Sequence, residues 1–418
     1  MVEYAKEIVE AITKEWKSLD DVACFAAKLL CCDKEVVQDD VNTICNELIK
    51  LGLAECDIED VGINASAKGI LAKGTLLNDE SDAALDYFIL RHKLLAELHI
   101  DITSACTERC VHCYLPGYPN KFLPFPAIEK VLQEFRQIQG LTVHLTGGEC
   151  MLHPDFEKIC HLCKDLDLNI ILFSNLTCCD AKRIAALKAI DPQFINVSLY
   201  SMKAEEHDAI TQVKGSWQKT MNAILACKKA GIHIRIATPL LKENMGAFMD
   251  LKMFADGQHM HLVPEFHIVP RSNQDCSNLT CACNQEELCN VMQQNKELFD
   301  QGWSGVSLPG AYDKVCDIGV SRLYMNSVGD YYPCDGMHGY VLGNVSRNTL
   351  AEIWTGEKLN ILRSLTNKDF GECASCQNRK YCKVCPAYNF SATGDMLRHV
   401  SAKCETAAAV RKVYGENL

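Results

Sequence analysis

The sequence predicts an α/β protein with a parallel sheet, followed by a region rich in cysteine. Two observations support this prediction: six short apolar segments between residues 94 and 269 alternate with helical patterns, and 25 of the 418 residues are cysteines. Alternating strands and helices form parallel sheets with helical crossovers, either an open barrel or a doubly wound sheet. In both architectures the functional groups gather at the C-terminal ends of the strands.

The elements follow one another at regular intervals. The predicted strands are Leu94–Thr103, Leu141–Leu145, Ile170–Ser174, Phe194–Leu199, Ile232–Ala237 and Val263–Val269. The predicted helices are Pro126–Gln139, Phe156–Asp167, Asp180–Ile190, Trp217–Ala230, Phe248–Ala255 and Glu286–Phe299. The alternation then stops, and we expect few regular elements in residues 305–404, which contain seven cysteines. A region with so little apolar core is expected to need metal to hold it together.

The chain divides into four predicted parts. Residues 1–60 read as three helices with a short wing-like strand, and residues 61–93 as a bridge. Residues 94–304 contain the alternating strands and helices, and residues 305–418 contain the cysteine-rich region and a C-terminal helix. The net charge of residues 1–60 is −9, from 6 Lys and 15 Asp or Glu, so most of the total charge of −12 lies there.

Composition excludes several classes of protein. The acidic balance argues against a nucleic-acid partner. No signal peptide precedes the first helix, and no apolar run is long enough to span a membrane. An odd number of cysteines, many in Cys-x-x-Cys spacing, favours metal-bound thiolates in a reducing compartment over a disulfide framework. We therefore expect a cytoplasmic metalloprotein.

Three closely spaced cysteines, Cys106, Cys110 and Cys113, follow the first predicted strand. Three thiolates on one loop can hold three irons of a [4Fe–4S] cube and leave the fourth iron open to a small molecule. The alternative is a zinc site completed by His112, for which the Cys-x3-Cys spacing is unusual.

This Cys-x3-Cys-x2-Cys motif, followed by Tyr114, resembles the radical S-adenosylmethionine (SAM) superfamily. The second strand ends in Gly147, Gly148 and Glu149, which match the Gly-Gly-Glu motif of that family. The resemblance implies a partial (β/α)6 TIM-like barrel in which these three residues approach SAM. It also implies that a cluster on the three cysteines reduces SAM to a 5′-deoxyadenosyl radical, with flavodoxin or ferredoxin as electron donor.

Further SAM contacts are implied by position. Ser174 and Asn175 end the third strand and Ser198 lies on the fourth, where the family contacts ribose or carboxylate. In relatives an Arg follows a His-Asp pair and binds the SAM carboxylate, but here Thr211 occupies the matching place. Arg235 on the fifth strand is the substitute, and a strand-end salt bridge is the alternative.

The C-terminal cysteines resemble a SPASM domain, the iron–sulfur domain of peptide-modifying radical SAM enzymes. The pattern is Cys316-x12-Gly329-x4-Cys334, then Cys373-x2-Cys376-x5-Cys382-x2-Cys385, then Cys404, with x2 where the family usually has x3. A zinc ribbon on the central four cysteines is the alternative.

The resemblance implies two auxiliary [4Fe–4S] clusters, and therefore three clusters in all. The first would have the ligands Cys373, Cys376, Cys382 and Cys404, and the second Cys316, Cys334 and Cys385. Residues 317–328 contain no cysteine, so we expect the second cluster to have three protein thiolates and one open iron.

Other candidate groups are expected to be unremarkable. Most of the remaining 15 cysteines, such as Cys160 and Cys163, are expected to be packing residues. Cys276, Cys281 and Cys283 lie in a polar loop at the expected barrel mouth. They are either plain loop thiols or groups that take part in the reaction. We expect Glu108 to be solvated and His144 to be a core histidine with its hydrogen bonds satisfied.

The N-terminal helices resemble part of a winged-helix recognition element for RiPPs, ribosomally made and post-translationally modified peptides. The alternative is an acidic helical cap without a binding role. Together the resemblances imply a peptide maturase of the sactipeptide or ranthipeptide type. It would join a cysteine of the core of a precursor peptide to a carbon of another residue by a thioether, with the peptide leader as a further contact.

Several alternatives to this reaction remain open. They are carbon–carbon crosslinking, epimerisation, decarboxylation, sulfatase-type maturation, a heme-pathway step, and a non-catalytic metalloprotein that binds peptides.

Overall fold

The computed structural model describes residues 34, 89, 93–296, 316, 318–382 and 384–415. The chain forms two compact units, Met1–Leu94 and Leu95–Leu418, and the description below concerns the second. The predicted helices and wing strand of residues 1–60, the bridge and the boundary at residues 304 and 305 lie outside the described residues.

A nine-stranded sheet forms the centre of the second unit, in the order β6-β5-β4-β3-β2-β1-β7-β8-β9. Strands β1 to β6 are all parallel, which confirms the predicted parallel sheet. The strands are β1 Glu97–Thr103, β2 Thr142–Gly147, β3 Asn169–Ser174, β4 Phe194–Ser198, β5 Ile234–Pro239, β6 His261–Glu265, β7 Arg322–Met325, β8 Asp330–Tyr332 and β9 Gly343–Asn344.

The helices of the barrel lie between these strands, and all except Ala204–Thr211, which was not predicted, lie close to their predicted positions. They are α1 Phe125–Gln137, α2 Phe156–Asp165, α3 Ala181–Ile190, α4 Ala204–Thr211, α5 Ser216–Lys229, α6 Phe248–Gly257 and α7 Gln285–Gln294. The cysteine-rich region has more regular structure than its sequence predicts. It contributes strands β7 to β9 and the helices α8 Leu350–Thr355, α9 Glu357–Ser364, α10 Pro386–Thr393 and α11 Ser401–Tyr414.

The alternation of side chains along β1 separates the core from the site. Leu98, Ile100 and Ile102 are fully buried and belong to the core formed with the crossover helices. His99, Asp101 and Thr103 occupy the alternate positions and point to the opposite face, because successive side chains of a strand alternate. This second face is called the inner face below, and it carries polar groups although it is buried.

Strand β7 is the main difference from the predicted fold. It pairs in parallel with β1, with Glu97 opposite Arg322 and His99 opposite Tyr324. The antiparallel strands β8 and β9 then extend the sheet. The cysteine-rich region therefore continues the sheet of the barrel, so the metal is not its only support. Among the described residues no helix has the length and apolar character needed to cross a membrane.

Candidate active site

The first cysteine motif lies where β1 ends. Cys106, Cys110 and Cys113 occupy the loop after Thr103, at the edge of the sheet where functional groups gather in parallel folds. The loop is fixed to the end of α4, because the backbone N–H of Arg109 donates to the carbonyl oxygen of Thr211 at 2.9 Å. Thr211, which occupies the place of the Arg found in relatives, thus anchors the cysteine loop through its backbone carbonyl group.

The three thiols form a half-buried donor set. Burial raises the pKa of all three, to about 12 for Cys106, and the charge of Cys113 adds to the effect on Cys106 and Cys110. Thiols in such surroundings become thiolates when a metal supplies positive charge. The set therefore fits a [4Fe–4S] cluster held by three cysteines.

The glycines of the Gly-Gly-Glu motif bring the end of β2 against the segment that leads to Cys106. A Cβ on Gly147, whose φ is +128°, would lie 2.1 Å from the carbonyl oxygen of Thr103. A Cβ on Gly148 would lie 2.2 Å from the carbonyl oxygen of Ala105. The motif is thus needed for packing against the cysteine loop, in addition to the approach to SAM that the sequence predicts.

We expect Gly147→Ala to destabilise the fold by roughly 1–3 kcal/mol, because the new Cβ meets backbone and the φ is unfavourable for any residue except glycine. Gly257→Ala is the matched control, since a Cβ at that position would meet no atom within 4 Å and its φ is ordinary. Thermal unfolding of the two reconstituted variants measures the difference. Equal melting temperatures would contradict the close approach at Gly147.

Glu149 is fully buried and bound by protein groups. Its carboxylate accepts hydrogen bonds from Ser174 Oγ at 2.8 and 3.0 Å, from the N–H of Asn175 at 2.8 Å and from the N–H of Met151 at 3.1 Å. The side chain of Asn175 in turn donates to Thr107 Oγ1 at 3.0 Å, inside the cysteine loop. Glu149, Ser174 and Asn175 therefore join the ends of β2 and β3 to this loop. Their contacts with SAM stay a prediction.

The other two predicted SAM contacts are placed differently. Ser198 is the last residue of β4 and hydrogen-bonds to Tyr200, close to Cys110. The guanidinium of Arg235 lies 3.5 Å from the ring centroid of Phe194, the first residue of β4. This contact draws Arg235 towards the N-terminal ends of the strands, away from the cysteine loop, and does not favour its predicted contact with the SAM carboxylate.

Tyr114 belongs to a buried polar group that could not be foreseen from the sequence. Its hydroxyl donates to Asp101 Oδ2 at 2.9 Å, and the hydroxyl of Tyr324 donates to the same oxygen. The ring of Tyr114 stacks on His338, with centroids 5.2 Å apart. Because Tyr114 follows Cys113 and His338 lies shortly after Cys334, these rings lie between two of the cysteine sets.

Asp101 makes the stability of the folded protein depend on pH, because burial raises the pKa of its carboxyl to about 7. The folded protein then holds a proton on Asp101 that the unfolded chain loses near pH 4, so stability falls as pH rises towards 7 and is constant above it. Asn cannot lose a proton, so the variant does not share this loss of stability. We expect the free energy of unfolding of Asp101→Asn, relative to that of the unchanged protein, to increase by about 2 kcal/mol as the pH rises from about 5.5 to 7. Melting temperatures measured across this range test it, and a pH-independent difference would contradict it.

Cys316, Cys334 and Cys385 lie close together although they come from distant parts of the C-terminal region. Burial raises the pKa of Cys334 well above its usual range, and the charges of Cys385 and Cys316 raise it further. Cys385 caps α10, where its sulfur accepts the N–H of Tyr388 at 3.4 Å. These three thiols therefore fit one auxiliary cluster.

The other four cysteines form a second set of neighbours. Burial raises the pKa of Cys373, Cys382 and Cys404, and thiolate charges within the set raise each of these further. Cys376 contributes to this effect on Cys373 and on Cys404. The structure thus groups the seven cysteines in the interleaved pattern that the resemblance implies. Ligation of iron by each residue stays a prediction.

Two expectations about single residues were wrong. Glu108 is only 2% exposed and not solvated, and burial raises the pKa of its carboxyl to about 8. His144 is buried, but among the described residues neither of its ring nitrogens has a hydrogen-bond partner. Sequence alone missed both because neighbouring residues of the chain do not show what a side chain faces.

The remaining cysteines mostly behave as expected. Cys160 and Cys163 are fully buried on α2 and belong to the main core. Cys276 is exposed. Burial raises the pKa of the Tyr388 hydroxyl to about 12, and the nearby Cys276 and Cys385 contribute to this shift. The loop after β6 therefore borders the Cys316, Cys334 and Cys385 set.

This fold and site define a class of protein: an iron–sulfur enzyme whose clusters lie at the C-terminal edge of a partial barrel. Residues 100–255 match the model of the radical SAM superfamily, and residues 316–386 match that of the SPASM iron–sulfur cluster-binding domain. The chain thus contains a radical SAM domain and a SPASM domain. Its cofactors are SAM and several [4Fe–4S] clusters, and it is an enzyme, as expected.

Individual relatives differ in the reactions that their names describe. The AdoMet-dependent heme synthase of Methanosarcina barkeri is 25% identical, over 71% of this chain and 93% of that protein. The subtilosin biosynthesis protein AlbA of Bacillus subtilis is 28% identical over 155 residues, which are 36% of this chain and 34% of that protein. The structure of Streptococcus suis SuiB bound to its precursor peptide SuiA superposes with a TM-score of 0.60 at 16% identity, covering 88% of this chain and 89% of SuiB.

Proposed function

We propose that the protein modifies a ribosomally made precursor peptide and forms a thioether between a cysteine of the peptide and a carbon of another residue. The observation that carries this proposal is the set of Cys316, Cys334 and Cys385, which brings together three thiols and has no cysteine in residues 317–328 to supply a fourth. A cluster held by three thiolates keeps one iron position for a ligand from outside the chain.

The position of this set supports the proposal. Tyr114, next to Cys113, stacks on His338 near Cys334, so the two cysteine sets border the same part of the inner face. Arg271 and Asn278, from the loop after β6, donate to the carbonyl oxygen of Cys113 at 3.4 Å each, and Cys276 in the same loop approaches Tyr388. These contacts link the loop of the first cysteine set to the loops near Cys334, so one bound peptide could extend along both.

The chain's own residues would bind and shield the peptide. When bound, the first cluster and SAM supply a 5′-deoxyadenosyl radical, which removes a hydrogen atom from carbon. Thioether formation removes two hydrogens from the peptide in total, one as an atom and one as a proton with an electron left over. The auxiliary sites offer a place for that electron. The buried ring of Tyr324 and the half-buried ring of Tyr114 would help to shield this part of the inner face from water.

Comparison with relatives also supports a peptide substrate. SuiB binds the precursor peptide SuiA, and its structure covers 88% of this chain. AlbA takes part in the biosynthesis of the peptide subtilosin, and it is similar over 36% of this chain. We propose that residues 1–60, whose charge is −9, bind a basic leader by charge complementarity.

A heme-pathway step is the second candidate. It is favoured by the similarity to the heme synthase of M. barkeri, which extends over 93% of that protein. That similarity covers 71% of this chain, whereas the likeness to SuiB covers 88% of it. The three-cysteine set of Cys316, Cys334 and Cys385 favours the peptide maturase.

Substrate-dependent formation of 5′-deoxyadenosine separates the two candidates. The reconstituted enzyme is incubated anaerobically with SAM and dithionite, with either the short Cys-containing peptide encoded beside its gene or an iron porphyrin carboxylate. We expect the peptide to accelerate 5′-deoxyadenosine formation and the porphyrin to leave it unchanged. Stimulation by the porphyrin alone would overturn the proposal in favour of the heme-pathway step.

A further inference from the structure

A cluster of three potential metal ligands lies on the inner face, apart from all the cysteine sets. Glu97 and His99 lie on β1 and His144 lies on β2. His99 and His144 are direct neighbours in the strand register, and their rings stack with centroids 3.8 Å apart and an angle of 19°. One donor atom from each of the three residues lies within 4.8 Å of the other two.

The histidine nitrogens of this cluster lack hydrogen-bond partners. Both histidines are only 9% exposed, and among the described residues the Nε2 atoms of both and the Nδ1 atom of His144 make no hydrogen bond, whereas Oε2 of Glu97 pairs with Arg322. A buried polar atom without a hydrogen bond costs about 1–3 kcal/mol, and native structures contain few of them. Several such atoms facing one another indicate a ligand that takes their lone pairs.

The distances fit a small cation. Oε2 of Glu97 lies 3.5 Å from Nε2 of His144 and 4.0 Å from Nε2 of His99. Donors around a tetrahedral Zn²⁺ are about 3.3 Å apart, given bonds of about 2.0–2.1 Å. Shifts of less than about 1 Å would therefore complete the arrangement. We propose that Glu97, His99 and His144 bind one Zn²⁺ ion, with water at the fourth position.

The types of ligand favour this ion once one competing cation moves. Imidazole nitrogens and carboxylate oxygens are both ligands that Zn²⁺ takes in proteins. The guanidinium of Arg322 lies 3.1 Å from Oε2 of Glu97 and competes with a metal for this oxygen. Because the side chain of Arg322 is 47% exposed, it can turn towards solvent.

The ion would act on the fold and not on SAM. His99 lies four residues before Thr103, the end of β1, which corresponds to about 13 Å along a strand. The site therefore lies towards the N-terminal ends of the strands, whereas the cysteine loop follows their C-terminal ends. Bound Zn²⁺ would join β1 to β2 and remove the cost of the unpartnered donors.

Zinc binding to the holoenzyme tests the proposal. The protein is first reconstituted with iron and sulfide, so that the cluster cysteines are occupied, and then equilibrated with buffered Zn²⁺ under anaerobic conditions. We expect one Zn²⁺ per chain after desalting, and a zinc X-ray absorption spectrum with nitrogen and oxygen neighbours, imidazole scattering and no sulfur. A spectrum with sulfur neighbours only, or no retained zinc, would overturn the proposal.

Variants then assign the ion to these residues. His99→Gln and His144→Gln should each weaken binding by about 100-fold. His261→Gln, an exposed histidine on β6, is the matched control and should leave binding unchanged. Unchanged iron content shows that a variant has folded. Retention of zinc by folded His144→Gln would overturn the assignment.

A variant outside the proposed ligands gives an independent result. Arg322→Gln removes the competing cation and should tighten Zn²⁺ binding by about fivefold, the size of a partly exposed ion pair. This outcome does not depend on whether the histidine variants fold. Unchanged or weaker binding by Arg322→Gln would contradict the role of Glu97 as a ligand.

Discussion

Replacement of Cys106, Cys110 and Cys113 by Ala in one variant is expected to abolish the formation of 5′-deoxyadenosine. The three thiols form one half-buried donor set after β1, and they are the thiols expected to hold the first cluster. The iron content should fall from about 12 to about 8 per chain, because the two auxiliary sets are untouched and a cubane contains four irons. Iron analysis and chromatography of the SAM products measure both effects.

The control for this variant is Cys160→Ala. Cys160 is equally a cysteine of the barrel, but it is fully buried in the main core and distant in sequence from the motif. We expect this substitution to leave iron content and SAM cleavage close to those of the unchanged protein, with a modest loss of stability. An iron content of about 4 in the unchanged protein would contradict the assignment of auxiliary clusters.

Cys334→Ala is expected to separate SAM cleavage from product formation. This thiol is near both Cys385 and Cys316, whereas the Cys106, Cys110 and Cys113 set lies on another loop. The variant should lose up to about four irons per chain and should still cleave SAM without completing the crosslink. We expect the amount of crosslinked peptide to fall by about 100-fold or more while 5′-deoxyadenosine is still formed.

The same assay shows whether the effect is specific to this set. Cys163→Ala, a core cysteine on α2, should keep both iron and product. If Cys334→Ala forms crosslinked peptide at the normal rate, the set of three thiols is not needed for the bond and the thioether proposal loses its main support.

The sequence predicted the barrel well because its strands obey a local rule. In β1 the apolar residues Leu98, Ile100 and Ile102 alternate with polar ones, and parallel strands at this spacing require helical crossovers. Strand β7 was missed for the opposite reason. It is very short, and the whole barrel segment separates it in the chain from its partner β1, so no local pattern indicates the pairing.

The same distinction applies to the site. The resemblance to a SPASM domain implied the interleaved grouping of Cys316, Cys334 and Cys385 against the other four, and the thiols of each group are neighbours in the structure. Spacing could not show that Glu149 is bound by Ser174, or that Arg235 lies over Phe194. These contacts depend on tertiary packing between strands, for which the sequence carries no short-range signal.

Tandem mass spectrometry of the peptide after anaerobic turnover and treatment with iodoacetamide tests the thioether proposal most directly. We predict a product that is lighter by two hydrogens, with one cysteine that no longer reacts with iodoacetamide and is joined to a carbon of another residue. A product with the same loss of mass whose cysteines all react would show a carbon–carbon link. That result, or an unchanged peptide beside a converted porphyrin, would contradict the proposed thioether synthase.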